Sequence, residues 1–223
     1  FGWDFEPEPN NICYQKYLSS MSRSNQENLV MGKTVMMDPT SVRLLCKYLR
    51  PEHNVLEWGS GGSTAFYSQF VKSWNSIEHD EQWAKKVEIY RKEHLQNVVL
   101  HTVPVHSWSN HPVYGVDGFS KDFYKYINLP KAWHRKFDVI LVDGRARVDC
   151  ALSVLKNNLL AAGGVVIIHD WERLSYKPVL LKYNLIEEDT SSPRHLGVLA
   201  PCSGFRELRD DTGIQPVIWS NDF

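Results

Sequence analysis

No apolar run in this 223-residue sequence approaches the roughly 20 residues needed to cross a bilayer, so no membrane-spanning helix is expected. A basic excess is missing too. The 25 Lys and Arg residues are offset by 26 Asp and Glu, for a formal net charge of −1. Nucleic-acid binders usually carry a basic stripe, so no nucleic-acid partner is expected. The four cysteines, Cys13, Cys46, Cys150 and Cys202, are far apart and form no C-x-x-C pair, which argues against zinc. Their spacing deduces no disulfide, and taken singly they read as small buried apolar residues. There is no N-x-S/T sequon, no internal repeat and no low-complexity segment. Phe1 rather than Met stands first, which leaves open a trimmed chain or the loss of a leader or anchor. The expectation is a soluble domain, cytoplasmic or lumenal, and a homodimer stays open.

What is present is an ordinary globular composition, 43% hydrophobic and 23% charged, long enough to bury one sizeable core. Residues 1–37 read as an N-terminal arm, polar and punctuated by aromatics and prolines, with one short helix near Tyr14–Met21. Residues 38–223 read as one domain. Asp38-Pro39 has the form of a helix start, cap followed by proline, and the helix runs over Thr40–Leu49. Apolar runs then alternate with helical patterns. Strands are expected at Asn54–Trp58, Ser73–Glu78, Asn97–Val105, Lys136–Asp143 and Gly164–His169, with helices at Ser63–Val71, Glu81–His94 and Arg147–Leu160. This alternation predicts βαβ units and a parallel sheet buried on both faces. Leu196–Ala200 and Gln215–Trp219 are expected as late strands, an antiparallel pair closing the edge. Residues 106–135 form an aromatic-rich insertion. Its Trp108, Tyr114 and Tyr124 suit an acceptor lid or a small subcore over the sheet.

Four segments carry chemistry. The first, Val55-Leu56-Glu57-Trp58-Gly59-Ser60-Gly61-Gly62-Ser63-Thr64, sits where strand one must turn into a helix. Glycines there let the backbone pass close to a ligand, and dinucleotides and S-adenosylmethionine (SAM) both use such a turn. The dinucleotide fingerprint needs a third glycine where this chain has Thr64, and it lacks the acid that Glu57 places two positions before Gly59. A carboxylate there can support the methionine end of SAM, which carries a cationic amine. Second, Glu78 in Ser76-Ile77-Glu78-His79-Asp80 ends strand two, 19 positions after Gly59, where an acid can accept hydrogen bonds from a ribose. The others are Asp143-Gly144-Arg145-Ala146-Arg147 after strand four and His169-Asp170-Trp171 after strand five. Ligands of open α/β sheets bind outside the carboxyl ends of the strands, where Glu57, Glu78, Asp143, His169 and Asp170 would gather.

Taken together, VLEWGSGGST, SIEHD, FDVILVDG and AAGGVVIIHDW resemble the successive motifs of class I SAM-dependent methyltransferases, over about residues 38–172. DGRARVDCAL and HDWERLSYKPV are similar to a branch with DGRxRV and HD-aromatic motifs. The fold expected is α/β, a Rossmann-like doubly wound and mostly parallel sheet of seven strands with an antiparallel C-terminal edge. The resemblance implies that Glu57, Trp58, Gly59, Ser60, Gly61 and Ser63 hold the methionine end of SAM. It puts Glu78 at the ribose, His79 near ribose and adenine, and Asp143 near the sulfonium. The implied activity is methyl transfer, best read as O-methylation of a small molecule or sugar hydroxyl. The alternatives are N-methyl or aminopropyl transfer and a non-catalytic SAM-binding partner protein.

The chain departs from that family where many members have an acid after strand three. Here Val103-Pro104-Val105-His106-Ser107-Trp108 has none. Catalysis on a hydroxyl needs a base or a metal. Asp143, His169 and Asp170 are the candidates, with His106 a lesser one. They are expected to converge, with strands four and five flanking strand one. Converging acids need a neutralising cation. That cation is either a divalent ion, Mg or Mn, or Arg145. Arg145 and Arg147 are also read as a clamp for an anionic acceptor.

Overall fold

The computed structural model describes residues 11–21, 35–191 and 194–202. Strand β1 (Asn54–Trp58), β2 (Ser73–Glu78), β3 (Val98–Thr102), β4 (Phe137–Val142) and β5 (Leu160–His169) pair in parallel. Two further strands, β6 (Tyr183–Glu188) and β7 (Leu196–Pro201), complete a seven-stranded sheet of order β3-β2-β1-β4-β5-β7-β6. β7 is antiparallel to both β5 and β6. This is a Rossmann-like, mostly parallel sheet with an antiparallel C-terminal edge. The order corrects one expectation: only β4 neighbours β1 on that side, and β5 lies one strand further out. β6 was not anticipated. Its Asn184, Leu185 and Ile186 are exposed, so the strand shows no buried alternation to read. Gln215–Trp219 lies outside the described residues.

The core explains why β4 and β5 read as unbroken apolar runs. Successive side chains point to opposite faces of a strand. Val139, Leu141, Val165 and Ile167 enter one buried cluster, and Ile140, Val142, Val166 and Ile168 the other. The first face is covered by helices α1 (Ile12–Met21), α2 (Pro39–Tyr48) and α3 (Gly62–Tyr67), with Tyr90 of α4 (Glu81–His94) packed against it. The second is covered by α5 (Tyr124–Asn128), α6 (Arg147–Lys156) and the 3-10 turns of Leu174–Leu181. α6 stops short of its expected end because Asn158 takes a left-handed conformation, which Asn tolerates better than most residues.

The cysteines do not share one role. Cys13 of α1 and Cys46 of α2 are joined in a disulfide, Cys150 is buried and free, and Cys202 is half-buried. The reading of four independent apolar residues is therefore corrected for the pair that staples α1 to the core.

Candidate active site

The glycine-rich turn is built by a close approach of two strand ends. Gly59 N–H donates to Ile77 O at 2.9 Å and Asp143 N–H donates to Trp58 O at 2.9 Å. Gly59 has φ 93°, and a Cβ there would stand 2.9 Å from the backbone nitrogen of Gly144. Only glycine meets both demands. Glu57 lies behind this turn, fully buried. Its Oε1 accepts from Ser63 Oγ (2.5 Å), and its Oε2 from Thr64 Oγ1 (2.6 Å), Ser76 Oγ (2.5 Å) and Trp74 Nε1 (2.8 Å). Burial pushes its carboxyl up to about 7, against the pull of those four hydrogen bonds. Glu78 ties the β1 and β2 ends together. Its Oε2 accepts from Ser60 N and Oγ, both at 2.9 Å, and its Oε1 from His79 N (2.8 Å) and Asp80 N (2.9 Å). Burial opposes ionisation, but the His79 and backbone contacts outweigh it and hold the carboxyl below its ordinary value.

The ends of β4 and β5 converge as expected. His169 Nδ1 and Asp143 Oδ1 are 2.9 Å apart, and Asp170 Oδ1 is 3.7 Å from the same nitrogen. The cation among them is Arg147. It is buried, lies 3.0 Å from Asp170 and 3.6 Å from Asp143, and donates to Gly144 O at 3.0 Å and His169 O at 2.5 Å. Expectation had placed Arg145 or a divalent ion there. Among the described residues no group of three or more His, Cys, Asp or Glu side chains could hold a metal ion. The guanidinium already supplies the positive charge that a metal was invoked to provide. Burial would raise Asp143, but the hydrogen bond and charge of His169, with Arg147 and Arg173, bring it below its ordinary value. Burial lowers His169, and the Asp143 hydrogen bond with the charges of Asp143 and Asp170 overcomes that, so the imidazole is raised. His169 Nε2 is buried and has no hydrogen-bond partner among the described residues.

The insertion has its own role. Phe123, Tyr126 and Ile127 are buried in the second core cluster, as a subcore requires, whereas Tyr124 is exposed. The insertion also delivers Asp117, which no sequence pattern singled out. Asp117 is 1% exposed. Its carbonyl accepts from Ala146 N at 3.1 Å and its carboxylate from Arg147 N at 3.4 Å, so it caps α6, whose own N-cap Ala146 has no side-chain oxygen. Arg145 and Arg173 approach the same carboxylate at 4.0 and 3.9 Å.

Between these groups lies a cavity of about 400 Å³. Gly59, Ser60, Ser63, Glu78, His79, Asp143 and Arg145 line it, together with Asp80, Trp83, Trp108, Gly144 and Arg147. Glu57, Trp58, Gly61, His169 and Asp170 do not. Glu57 and His169 stand directly behind lining residues, Ser63 and Asp143. Trp58 faces the second core and donates to Tyr126 O at 3.0 Å. Trp83 was also missed. It reaches over the turn to donate to Ser60 O at 2.7 Å, and in sequence it is only one aromatic in a helical stretch. His106 is not among the lining residues.

Comparison with solved structures agrees with this architecture. The chain is similar to an rRNA methylase from Streptococcus thermophilus, at 13% identity and a TM-score of 0.51, over 75% of this chain and 99% of that one. It is similar to a ribosomal protein L11 methylase from Lactobacillus delbrueckii subsp. bulgaricus, at 13% identity and 0.52, over 74% and 80% of the two chains. The fold is that of these methylases. A precorrin 8w decarboxylase from Methanobacterium thermoautotrophicum shares it too, at 14% identity and 0.50, over 75% and 91%. At such identities the likeness is one of fold alone, and function has to be argued from the site. No family model and no curated protein sequence matches the chain.

Proposed function

We propose that this chain is a SAM-dependent methyltransferase acting on a hydroxyl oxygen of a small molecule or sugar. One observation carries the reading: the cavity lies at the carboxyl ends of β1, β2 and β4, between the glycine-rich turn, Glu78 and Asp143. Its volume falls in the range of small-molecule sites. The residues fit the cofactor in kind. Ser60 and Ser63, with Glu57 behind them, would hold the methionine end. Glu78 would take the ribose, and His79 with Trp108 would flank the adenine side, since their rings meet at 5.4 Å. Both Glu78 oxygens are engaged by the protein's own turns, so Ser60 Oγ must swing away for a ribose hydroxyl to bind.

When bound, the cofactor supplies an already activated methyl group. The protein then has to orient the acceptor and manage one proton. Asp143 is the lining acid at the β4 end, and its Oδ2 has no partner among the described residues, so it is placed to hold the acceptor hydroxyl and receive its proton. His169 is a positioning residue. Through Asp143 Oδ1 it fixes the carboxylate, and its own charge sets how strong a base Asp143 can be. Titration calorimetry with SAM and S-adenosylhomocysteine tests the reading. Glu78→Ala is expected to weaken binding by about 1.5–3 kcal/mol, the range for hydrogen bonds to charged groups. A parent protein that binds neither compound, or a variant that binds both equally well, overturns it.

A further inference from the structure

Arg145 and Arg147 are two residues apart and have opposite fates. Arg147 is buried and spends its donors inside the protein, on Gly144 O, His169 O and Asp170. Arg145 lines the cavity with 35% of its side chain exposed, and its guanidinium makes no hydrogen bond to any described residue. Its contacts are Asp117 at 4.0 Å, beyond direct hydrogen-bond reach, and the face of Trp108 with the guanidinium carbon 6.0 Å from the ring centroid. A guanidinium offers five N–H donors in a planar fork that matches a carboxylate or phosphate. A cation–π contact with an aromatic face engages the guanidinium without using any donor.

The rest of the cavity wall makes this placement selective. Glu78 and Asp80 come from the β2 side and are acidic, whereas Arg145 follows β4, next to Asp143. The cavity is therefore polarised, with an acidic wall facing the expected cofactor and a cationic group beside the proposed base. Asp117 partly offsets Arg145, but Arg173 stands 3.9 Å from Asp117 as well, so that acid is shared between two guanidinium groups. Arg173 pairs more closely with Asp170, at 2.7 Å, and Asp117 stays beyond hydrogen-bond reach of Arg145, so the Arg145 donors are left for a ligand.

We propose that Arg145, lying over the Trp108 ring, is an anion subsite for the acceptor: the hydroxyl compound methylated here carries a carboxylate or phosphate that Arg145 binds while Asp143 meets the hydroxyl. The inference rests on the methyltransferase reading above. It is tested by calorimetry on matched probes that differ in one anionic group: 4-hydroxybenzoate against 4-hydroxybenzyl alcohol, galacturonate against galactose, and glycerol 3-phosphate against glycerol. Each is titrated into the protein with and without S-adenosylhomocysteine. At least one acid is expected to bind tenfold or more tightly than its neutral counterpart. Arg145→Gln should remove that preference while leaving the neutral probe and S-adenosylhomocysteine at parental affinity. Arg145→Lys should restore part of it. If no pair shows a preference, or if the preference survives in Arg145→Gln, the subsite is overturned. If Arg145→Gln instead weakens S-adenosylhomocysteine, Arg145 serves the cofactor carboxylate and the proposal is equally lost. A parent that fails to bind S-adenosylhomocysteine but still prefers an acid through Arg145 overturns the methyltransferase reading and keeps the anion subsite.

Discussion

At the scale of single residues, two buried groups make the site sensitive to pH, with different readouts. Glu57 has its carboxyl raised from 4.5 to about 7 by burial. An acid raised in the folded state favours folding while protonated. Its contribution is therefore present below about pH 4.5 and is lost as pH climbs to about 7, by about 2–4 kcal/mol on the usual linkage. Glu57→Gln is expected to flatten that slope in denaturant melts taken across the window. The amide can keep its oxygen toward Trp74 Nε1 and offer its nitrogen to the Ser63 hydroxyl, which can accept. An unchanged slope would remove Glu57 as the cause. His169 governs activity rather than folding in the proposed mechanism. Its imidazole is raised by Asp143 and Asp170 against Arg147 and burial. While it is charged, Asp143 is a weak base. Turnover should thus rise with pH through a limb lying above the ordinary histidine value of about 6.5, and His169→Asn should abolish that limb. A variant that keeps the parental pH profile would detach His169 from the proton transfer. Glu57, Glu78 and Asp143 were legible in the sequence because an acid that ends an apolar strand is conspicuous. Asp117 was not, since a lone acid in an aromatic loop has no period to mark it. Nor could the sequence separate Arg145 from Arg147, because the left-handed turn at Ala146 between them is set by packing with the insertion.

At the scale of elements, the insertion and α6 depend on each other. Ala146 and Arg147 give their N–H groups to Asp117, so the helix that carries the central guanidinium is capped from a distant loop. Losing an N-cap oxygen costs about 0.5–2 kcal/mol. Asp117→Ala is expected to fall in or above that range, since Arg145 and Arg173 also lose their shared acid. Hydrogen exchange should quicken at the Arg147 amide, which loses its side-chain acceptor, more than at the Ala146 amide, whose acceptor is the backbone carbonyl, and stay unchanged in β1 and β2. Uniform loss of protection across the sheet would mean that Asp117 supports the whole fold rather than one helix end. Strands β1, β2, β4 and β5 and helices α2 and α4 were readable from pattern, because a strand buried on both faces and a two-faced helix leave clear patterns; β3 was read from its short apolar run although only Val98 is buried. β6 leaves none, as its side chains are largely exposed. The first turn after the glycines was read too long, because α3 passes into a 3-10 turn at Ser68–Phe70.

For the whole molecule, the Cys13–Cys46 bridge closes a loop spanning 33 residues, which corresponds to about 4 kcal/mol of chain entropy removed from the unfolded state. Reductant is expected to lower the melting temperature of the parent and to leave Cys13→Ser unaffected. Equal melting of parent and variant, with and without reductant, would show that the bridge does not form. Pairing at such a distance could not be deduced from sequence, since four cysteines allow several connectivities. The antiparallel edge has a consequence for how the chain is made. β7 comes later in the chain than β6, yet it lies between β5 and β6. Until residues 196–201 have left the ribosome, β5 has one flank of unpaired N–H and C=O groups and β6 has no strand to join. Between the synthesis of β5 and that of β7 the nascent chain therefore carries an open seam along an apolar strand, a template for pairing with other chains. β7 closes this seam from both sides at once, so the sheet is completed by insertion between two strands already made rather than by growth outward from β1.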